Sequence, residues 1–517
     1  MKANSYIGFK HSGVVTDLPA EEVTPKQWTS VVNMQFQDGA TRRVGGYADY
    51  GAIAASVGAE VPIFAYNGLF DPVSYWLYCT ATRVFVTDGT ASFDITPVGG
   101  LISTPVGKWT GCTLNGIVVL NNGRNAPMYW AGSTGVRCQS LPGWPVGATC
   151  KAIRAFKYHL LALGVFNGTA DFPNSVWWSA AADPGAVPAA WTPSASNDAG
   201  DMDLGDTPGV VVDGLALRDL FIVYKEYATY AISYVAGPLV FTSRKLFLTS
   251  GVQALNCIAE VNGVHFVFTG LDVIRTDGQN TQSLCVNKVR NSLVKSIDPA
   301  QEDMTCVVSR QANNQVWVCI PEQGGSGLTR AYVINTLTED IGVRELPGVS
   351  FVARGVVEFG GGSPSWASDT DAWNTDTTFW AQQTFDPTED SLLMVDPSPK
   401  ALYAVDVDDT AAGAPVAASC ERQSLPIGDK VGRVLITRVI PRIEGEPGDV
   451  IRIQTGGQAF FGEAVMWSEP QDFVIGSSVG VSVQTEGRLV SVRFAASTLR
   501  QWKIHSYRLG YVERGLY

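Results

Sequence analysis

Histidine is scarce in this chain, with four among 517 residues, at positions 11, 159, 265 and 505. His159 and His265 lie inside apolar segments with no acid or cysteine at metal-ligand spacing, so they read as satisfied strand histidines, not zinc ligands. The nine cysteines are an odd number and contain no C-x-x-C pair, which suits neither a disulfide framework nor a zinc cluster. Most have apolar neighbours, as in Trp317-Val318-Cys319-Ile320, and read as small buried hydrophobes folded in a reducing compartment. Charge is sparse as well. Charged residues make up 17% of the chain, 37 basic against 49 acidic, for a net charge of −12. So little positive charge argues against gripping nucleic acid over a broad surface, which requires Lys and Arg to displace counterions. No apolar run approaches the roughly 18 residues of a spanning helix. Met1–Tyr6 lacks the apolar core of a secretory signal. The expectation is a soluble protein made in a cytoplasm, with no membrane-spanning segment.

Motifs of catalysis are equally thin. There is no P-loop and no dinucleotide fingerprint, and no cofactor is expected. Gly476-Ser477-Ser478-Val479-Gly480 matches G-x-S-x-G, but a nucleophile elbow needs a strand before it and a helix after it. Here Asp472-Phe473-Val474-Ile475 leads into another strand, so the segment reads as a hairpin turn. Helical periodicity is confined to 24–33, where Thr24 precedes Pro25, and 297–304, where Asp298 precedes Pro299, both N-cap then N1 arrangements.

What is present is strand and turn. Hydrophobic residues make up 45% of the chain and there are 53 glycines, the composition of an ordered protein long enough for two or more domains. Trp76-Leu77-Tyr78-Cys79-Thr80 is followed by Arg83-Val84-Phe85-Val86 and the turn Asp88-Gly89, a strong hairpin signal. The same grammar recurs at Ile117–Leu120 with Met128–Trp130, Leu160–Leu163 with Val176–Ser179, Leu220–Tyr224 with Thr229–Ile232, His265–Phe268 with Val273–Arg275, and Val316–Cys319 with Ala331–Ile334. A degenerate unit of roughly forty to sixty residues, repeated with aromatics and Gly-bearing turns, predicts an all-β chain built as a β-propeller; a tandem of sandwiches is the alternative. No WD or kelch signature is visible. Past Glu421 the charge balance shifts and alternation resumes in Val434–Thr437, Val450–Gln454, Val481–Gln484 and Leu489–Phe494, which predicts a C-terminal β-sandwich-like domain. The expected divisions are an N-terminal segment 1–55, a propeller 56–350, an acidic insertion or linker 351–425 and the β-domain 426–517.

Two acidic, breaker-rich stretches interrupt this pattern. From Ala182 to Gly214 there are six Asp and no Lys or Arg, and from Gly360 to Thr410 ten acids and the single Lys400. Together they hold more negative charge than the chain's net −12, so the acidity is concentrated on what read as long loops or an insertion. Asp369-Thr370-Asp371-Ala372-Trp373-Asn374-Thr375-Asp376 offers oxygens at alternate positions but lacks the turn Gly and closing Glu of a calcium loop, and reads as a solvated loop. The aromatics Trp366, Trp373, Phe379 and Trp380 suit either stacking on sugars or anchoring an insertion.

Several segments resemble a known family. Asn33-Met34-Gln35-Phe36-Gln37-Asp38-Gly39-Ala40-Thr41-Arg42-Arg43-Val44-Gly45-Gly46-Tyr47 is similar to the N-x-x-F-x-D-G-x-x-x-R-x-G opening of structural proteins of short-tailed bacteriophages, with Val44 where Pro is commoner. Asn174–Ser179 followed by Trp191-Thr192-Pro193 resembles the family's P-x-x-V-x-W-S … W block, and Asp219–Glu226 its D-x-x-I-x-x-K-E strand. Gly237–Phe241, Arg275–Gly278 and the closing 487–517 continue the order, the chain ending Gly-Leu-Tyr where relatives often have G-x-R. The family is the tail nozzle, also called the tail tubular or packaged-DNA stabilisation protein, of podoviruses. The resemblance implies a non-enzymatic virion protein: a homohexameric ring at the tail end that extends the head-to-tail channel, retains packaged DNA and conducts it during ejection. Its N- and C-terminal segments would dock on the head-to-tail adaptor ring, with tail spikes or fibres and a plug or needle as further candidate partners. Double-stranded DNA would pass through without sequence-specific binding. An acidic wall repels phosphate where a basic wall would hold it, so Asp198, Asp201, Asp203, Asp206, Asp369, Asp371 and Asp376 are the candidates to face that channel; the plain alternative is that they solubilise loops. The rival function is a propeller-fold carbohydrate-binding or glycan-degrading protein.

Overall fold

A computed structural model describes residues 5–70, 73–235, 237, 239–357, 391–427 and 432–515. The protein is almost entirely β, 52% strand and 4% helix. Four-stranded antiparallel sheets follow one another over 64–94, 110–140, 149–203, 211–247, 258–283 and 306–349, here called blades 1 to 6. A seventh blade combines Phe351–Gly355, Ser391–Asp396 and Ala401–Val405 with Tyr47–Ala52 as its outer strand. The first strand of each blade packs on the first strand of the next, from Thr110–Leu114 round to Phe351–Gly355 and on to Phe64–Phe70. Tyr66 bonds Thr113 at 3.0 Å across blades 1 and 2, which completes the ring. This is a seven-bladed propeller.

The blades explain why their strands read as unbroken apolar runs. Each sheet is covered on both faces, so both strand faces are apolar. In blade 1, Leu77 and Cys79 pack with Trp109, Val118 and Leu120 of the blade 2 segment, while Trp76 and Tyr78 pack with Leu393, Val395 and Leu402 of blade 7. The innermost hairpins of blades 2 to 5 share one device. Each is a two-residue turn, Asn115-Gly116, Lys157-Tyr158, Arg218-Asp219 and Asn262-Gly263, whose first residue has φ of 52°, 54°, 55° and 51° respectively. Such turns match the right-handed twist of the strands they join. The turn at Asp88-Gly89 is built differently from the two-residue hairpin expected: the Asp88 carboxylate accepts the amides of Thr90 and Ala91 at 2.8 and 2.9 Å, closing a four-residue loop.

Around the axis, a buried ion pair ties three innermost strands and the segment leading into a fourth. Arg154 donates to both carboxylate oxygens of Asp213 at 2.9 and 2.7 Å, to the Gly111 carbonyl at 3.0 Å and to Asn256 Oδ1 at 3.0 Å. Asn256 in turn donates its backbone amide to Asp213 and its side-chain amide to the Trp109 carbonyl, each at 2.9 Å. The bidentate geometry and the extra bonds are what make a buried pair tolerable.

The remaining strands form a β-sandwich from both ends of the chain. One sheet orders Met34–Gln37, Ala40–Arg43, Lys503–Gly515, Arg433–Glu444 and Val481–Gly487, with Ser5–Phe9 on Lys503–Gly515. Its partner orders Ser30–Val32, Val416–Pro426, Leu489–Thr498, Val450–Gln458 and Met466–Trp467, with Gln471–Val474 on Val450–Gln458. Trp28, Phe494 and Tyr507 fill its core with His11. The first sheet runs on into blade 6 where Met34 pairs with Val343.

Four expectations need correction. The interval 351–425 is no linker in its described part: 351–355 and 391–405 are three strands of blade 7, and 416–425 is a strand of the sandwich. The segment 1–55 is divided between the two units, because Tyr47–Ala52 closes the ring. Residues 24–33 are no helix. A single turn, Gln27 N to Thr24 O at 3.1 Å, is followed by Trp28, which the core draws in, and by the strand Ser30–Val32. At 297–304 only the one turn Glu302–Met304 is helical, while the helix Arg290–Ser296 carries no sequence cap to announce it.

Candidate functional site

The first acidic stretch forms the outer rim of blade 3. After Asp171–Trp178 the chain loops out through 180–199 and returns as the edge strand Gly200–Asp203, in register with Ser175–Trp178. The loop is pinned by Trp191, buried edge-on against Trp144 with ring centroids 4.6 Å apart. Asp198 is half of a further clasp: its carboxylate accepts the Ala181 amide at 2.9 Å, its carbonyl accepts the Trp178 indole N–H at 2.9 Å, and it lies 3.8 Å from His159 Nε2. Asp201 and Asp203 are two apart on one strand, so both point to the same side, and both are exposed while Met202 turns inward.

Asp206 is engaged. Lys245 lies 2.7 Å away, Tyr230 donates its hydroxyl to the carboxylate, and these two bonds hold the carboxyl below its ordinary pKa. Directly behind it, the buried Lys225 ammonium donates to the carbonyls of Leu204 and Thr207 at 2.8 and 2.7 Å and to the Thr207 hydroxyl at 3.1 Å. Burial depresses the Lys225 pKa, opposed by Asp206, Asp203 and Glu226. Thus the lysine of the Asp219–Glu226 segment staples the end of the acidic stretch to blade 4. The four described candidates therefore share one rim, with Asp201 and Asp203 solvent-facing and Asp206 neutralised. Asp369, Asp371 and Asp376, like Trp366, Trp373, Phe379 and Trp380, lie outside the described residues.

The N-terminal phrase maps onto the seam between sandwich and propeller. Asn33 donates to the Ala417 carbonyl at 2.8 Å and to Glu345 at 2.9 Å, and accepts the Glu345 amide at 2.8 Å. Phe36 is buried. Asp38-Gly39 is the two-residue turn between Met34–Gln37 and Ala40–Arg43. Arg43, wholly buried, donates to the Asp409 carbonyl at 2.8 Å. Gly45 and Gly46 let the chain slip against the 406–410 turn: a Cβ on Gly46 would lie 1.9 Å from the Thr410 carbonyl oxygen. There Arg344 donates to both glycine carbonyls, at 3.1 and 3.0 Å, and pairs with Asp406 at 2.6 Å, while Arg310 takes the other Asp406 oxygen. Burial would raise the Asp406 pKa, but the two guanidiniums hold it below the ordinary value. Every fixed residue of the phrase thus has an architectural task.

No family model and no curated protein matches the chain. Solved structures it is similar to include the CNH domain of AfRom2, 7% identical over 70% of this chain and 97% of that one with a TM-score of 0.35. YCF48 bound to a D1 peptide is 8% identical over 78% and 97% with a TM-score of 0.33. Puromycin hydrolase is 12% identical over 75% and 62% with a TM-score of 0.37. At such identities the likeness is one of fold.

No group of three or more His, Cys, Asp or Glu converges as a metal site among the described residues, and none of their helices is long and apolar enough to cross a membrane. All nine cysteines are buried. His159 bonds the Ser179 carbonyl at 2.8 Å, and His265 sits between Tyr224 at 3.0 Å and the Ala216 carbonyl at 2.9 Å, as expected of satisfied strand histidines. Ser478 lies in the turn between Gln471–Val474 and Val481–Gly487, its amide bonded to the Val474 carbonyl at 2.9 Å; the two strands belong to different sheets, so the turn joins sheets and is not the hairpin expected. Sequence reasoning missed the Arg154–Asp213 pair. The signal was there: a lone acid within Val210-Val211-Val212-Asp213-Gly214-Leu215 must find a cation if that strand is buried.

Proposed function

We propose that the chain is a structural subunit of a short-tailed bacteriophage tail: six copies close into a nozzle that extends the head-to-tail channel, retains packaged DNA and conducts it during ejection. The observation that carries this reading is the seam. The ordered phrase from Asn33 to Gly45, which is what resembles the tail family, builds the joint between a propeller and a platform assembled from both chain ends. A platform built from both chain ends suits docking on an adaptor ring, and broad strand faces suit the heterologous contacts from which closed rings arise. The reading assigns no catalytic step and no cofactor. It places the protein in the virion tail.

Asp201 and Asp203, exposed on the rim of blade 3, are the described candidates for the channel wall. Repulsion between a carboxylate and a phosphate is about 1 kcal/mol at 4 Å in water and is screened beyond roughly 8–10 Å. It therefore acts only on DNA close to the wall, enough to discourage sticking. Electron microscopy of the purified chain mixed with the adaptor ring of its virion tests the assembly. Sixfold rings stacked on the adaptor are expected, and a chain that stays monomeric and unbound in that mixture overturns the reading.

A further inference from the structure

The propeller's axial mouth carries chemistry that the tail reading does not use. At the end where the innermost strands begin, a cavity of about 360 Å³ opens between blades 2 to 6, within the size range of small-molecule sites. It is roofed by the loop Pro105–Lys108, which reaches across to blade 6: a Cβ on Gly107 would lie 2.1 Å from the Asp303 carbonyl oxygen. Gly111, Arg154, Asp213 and Asn256 lie one to three residues further along the chain than the lining residues Lys108, Lys151, Val212 and Leu255, so the Arg154–Asp213 network is next to the lining in sequence.

Three cations converge here in a chain whose net charge is −12: Lys108, Arg124 and Lys151. Lys108 is committed to Asp303 at 2.6 Å. The side chains of Arg124 and Lys151 have no hydrogen-bond or ion-pair partner among the described residues. Lys151 is held below its ordinary pKa by burial and by Lys108, against the pull of Glu226 and Asp171. Glu226 and Asp303 line the same cavity, so three basic and two acidic side chains leave it one net positive charge, which a single anion would offset. Val212, Ala254 and Leu255 give the same cavity an apolar side.

We propose that the axial mouth binds a small organic anion, a compact apolar body bearing one carboxylate or phosphate, with Arg124 and Lys151 gripping the oxyanion and Val212 and Leu255 the body. The site stands independently of the tail reading. It is tested by titrating the full chain with phenyl phosphate, benzoate and benzyl alcohol, followed by ligand-observed NMR. Saturable binding of at least one anion, with benzyl alcohol much weaker, is expected, and the relative affinities of the two anions tell which headgroup the site prefers. The double variant Arg124→Gln, Lys151→Gln should weaken anion binding about ten- to a hundredfold with the melting temperature unchanged. A second measurement needs no variant: phenyl phosphate should slow acetylation of Lys151 but not of the exposed Lys26 in the sandwich. Absence of saturable anion binding, equal binding of benzyl alcohol, undiminished binding by a folded double variant, or acetylation of Lys151 indifferent to phenyl phosphate would each overturn the proposal.

Discussion

The seam at Asp406 and the rim at Asp201 and Asp203 use the same side chain in opposite ways. Both lie in stretches that read alike, rich in Asp and poor in Lys and Arg. At the seam, Arg344 and Arg310 reach in from blade 6 and convert a buried carboxylate into a clasp. On the rim, Asp201 and Asp203 face solvent with no ion pair among the described residues. An acidic stretch is therefore not one physical object. Its members divide according to which strand ends near an arginine contributed from far away in the chain, and only the unpaired remainder is left to set a surface potential.

The sharpest way to break this contrast is Asp406→Ala. It strands two guanidiniums in a buried site, and the expected loss is about 3–5 kcal/mol, read as a fall in the denaturation midpoint; a loss equal to that of a surface substitution would show that the seam is not a clasp. Gly46→Ala attacks the same joint sterically. A methyl group 1.9 Å from the Thr410 carbonyl forces the 406–410 turn aside, at an expected cost of about 1–3 kcal/mol, measurable by chemical denaturation. Acid provides a third lever. Asp406 has a folded pKa below its unfolded value near 3.8, so its contribution is whole above that value and is lost as pH falls through the lower folded pKa, at up to about 1.4 kcal/mol per pH unit. The stability gap between wild type and Asp406→Asn should thus be constant near neutrality and narrow below about pH 4. Smallest in stability is the pair Asp201→Asn with Asp203→Asn, expected within about 0.5 kcal/mol of wild type. If the rim lines a DNA channel, these changes slow ejection while leaving ring assembly intact, and unchanged ejection kinetics in assembled particles would separate the rim from the channel.

Much of the propeller was legible because its strands are buried on both faces. Trp76–Cys79 and Val316–Cys319 announce themselves as apolar runs, and Asn115-Gly116 marks an innermost hairpin outright. Lys157-Tyr158 and Arg218-Asp219 make the same turn with residues that carry no such signal, since the strands on either side impose the positive φ. The seventh blade was hidden for a different reason. Tyr47-Ala48-Asp49-Tyr50-Gly51-Ala52 has neither alternation nor β-branched residues, and it becomes a strand only because Ala401–Val405 offers an open edge. Of the candidate site, composition located the rim but could not sort its members. Nothing local distinguishes Asp206, which Lys245 and Tyr230 neutralise, from Asp203 three positions earlier. Asp213, by contrast, was readable from its apolar strand.

The ring's closure has a mechanical consequence. The chain passes from platform to propeller between Arg43 and Tyr47, and back again between Val405 and Val416. Tyr47 and Val405 face each other at the same end of one strand pair. A pull on the platform therefore tugs both tethers in the same direction and does not peel the pair open. The platform also grips blade 6, where Met34 pairs with Val343 and Asn33 with Glu345, so blades 6 and 7 share that load.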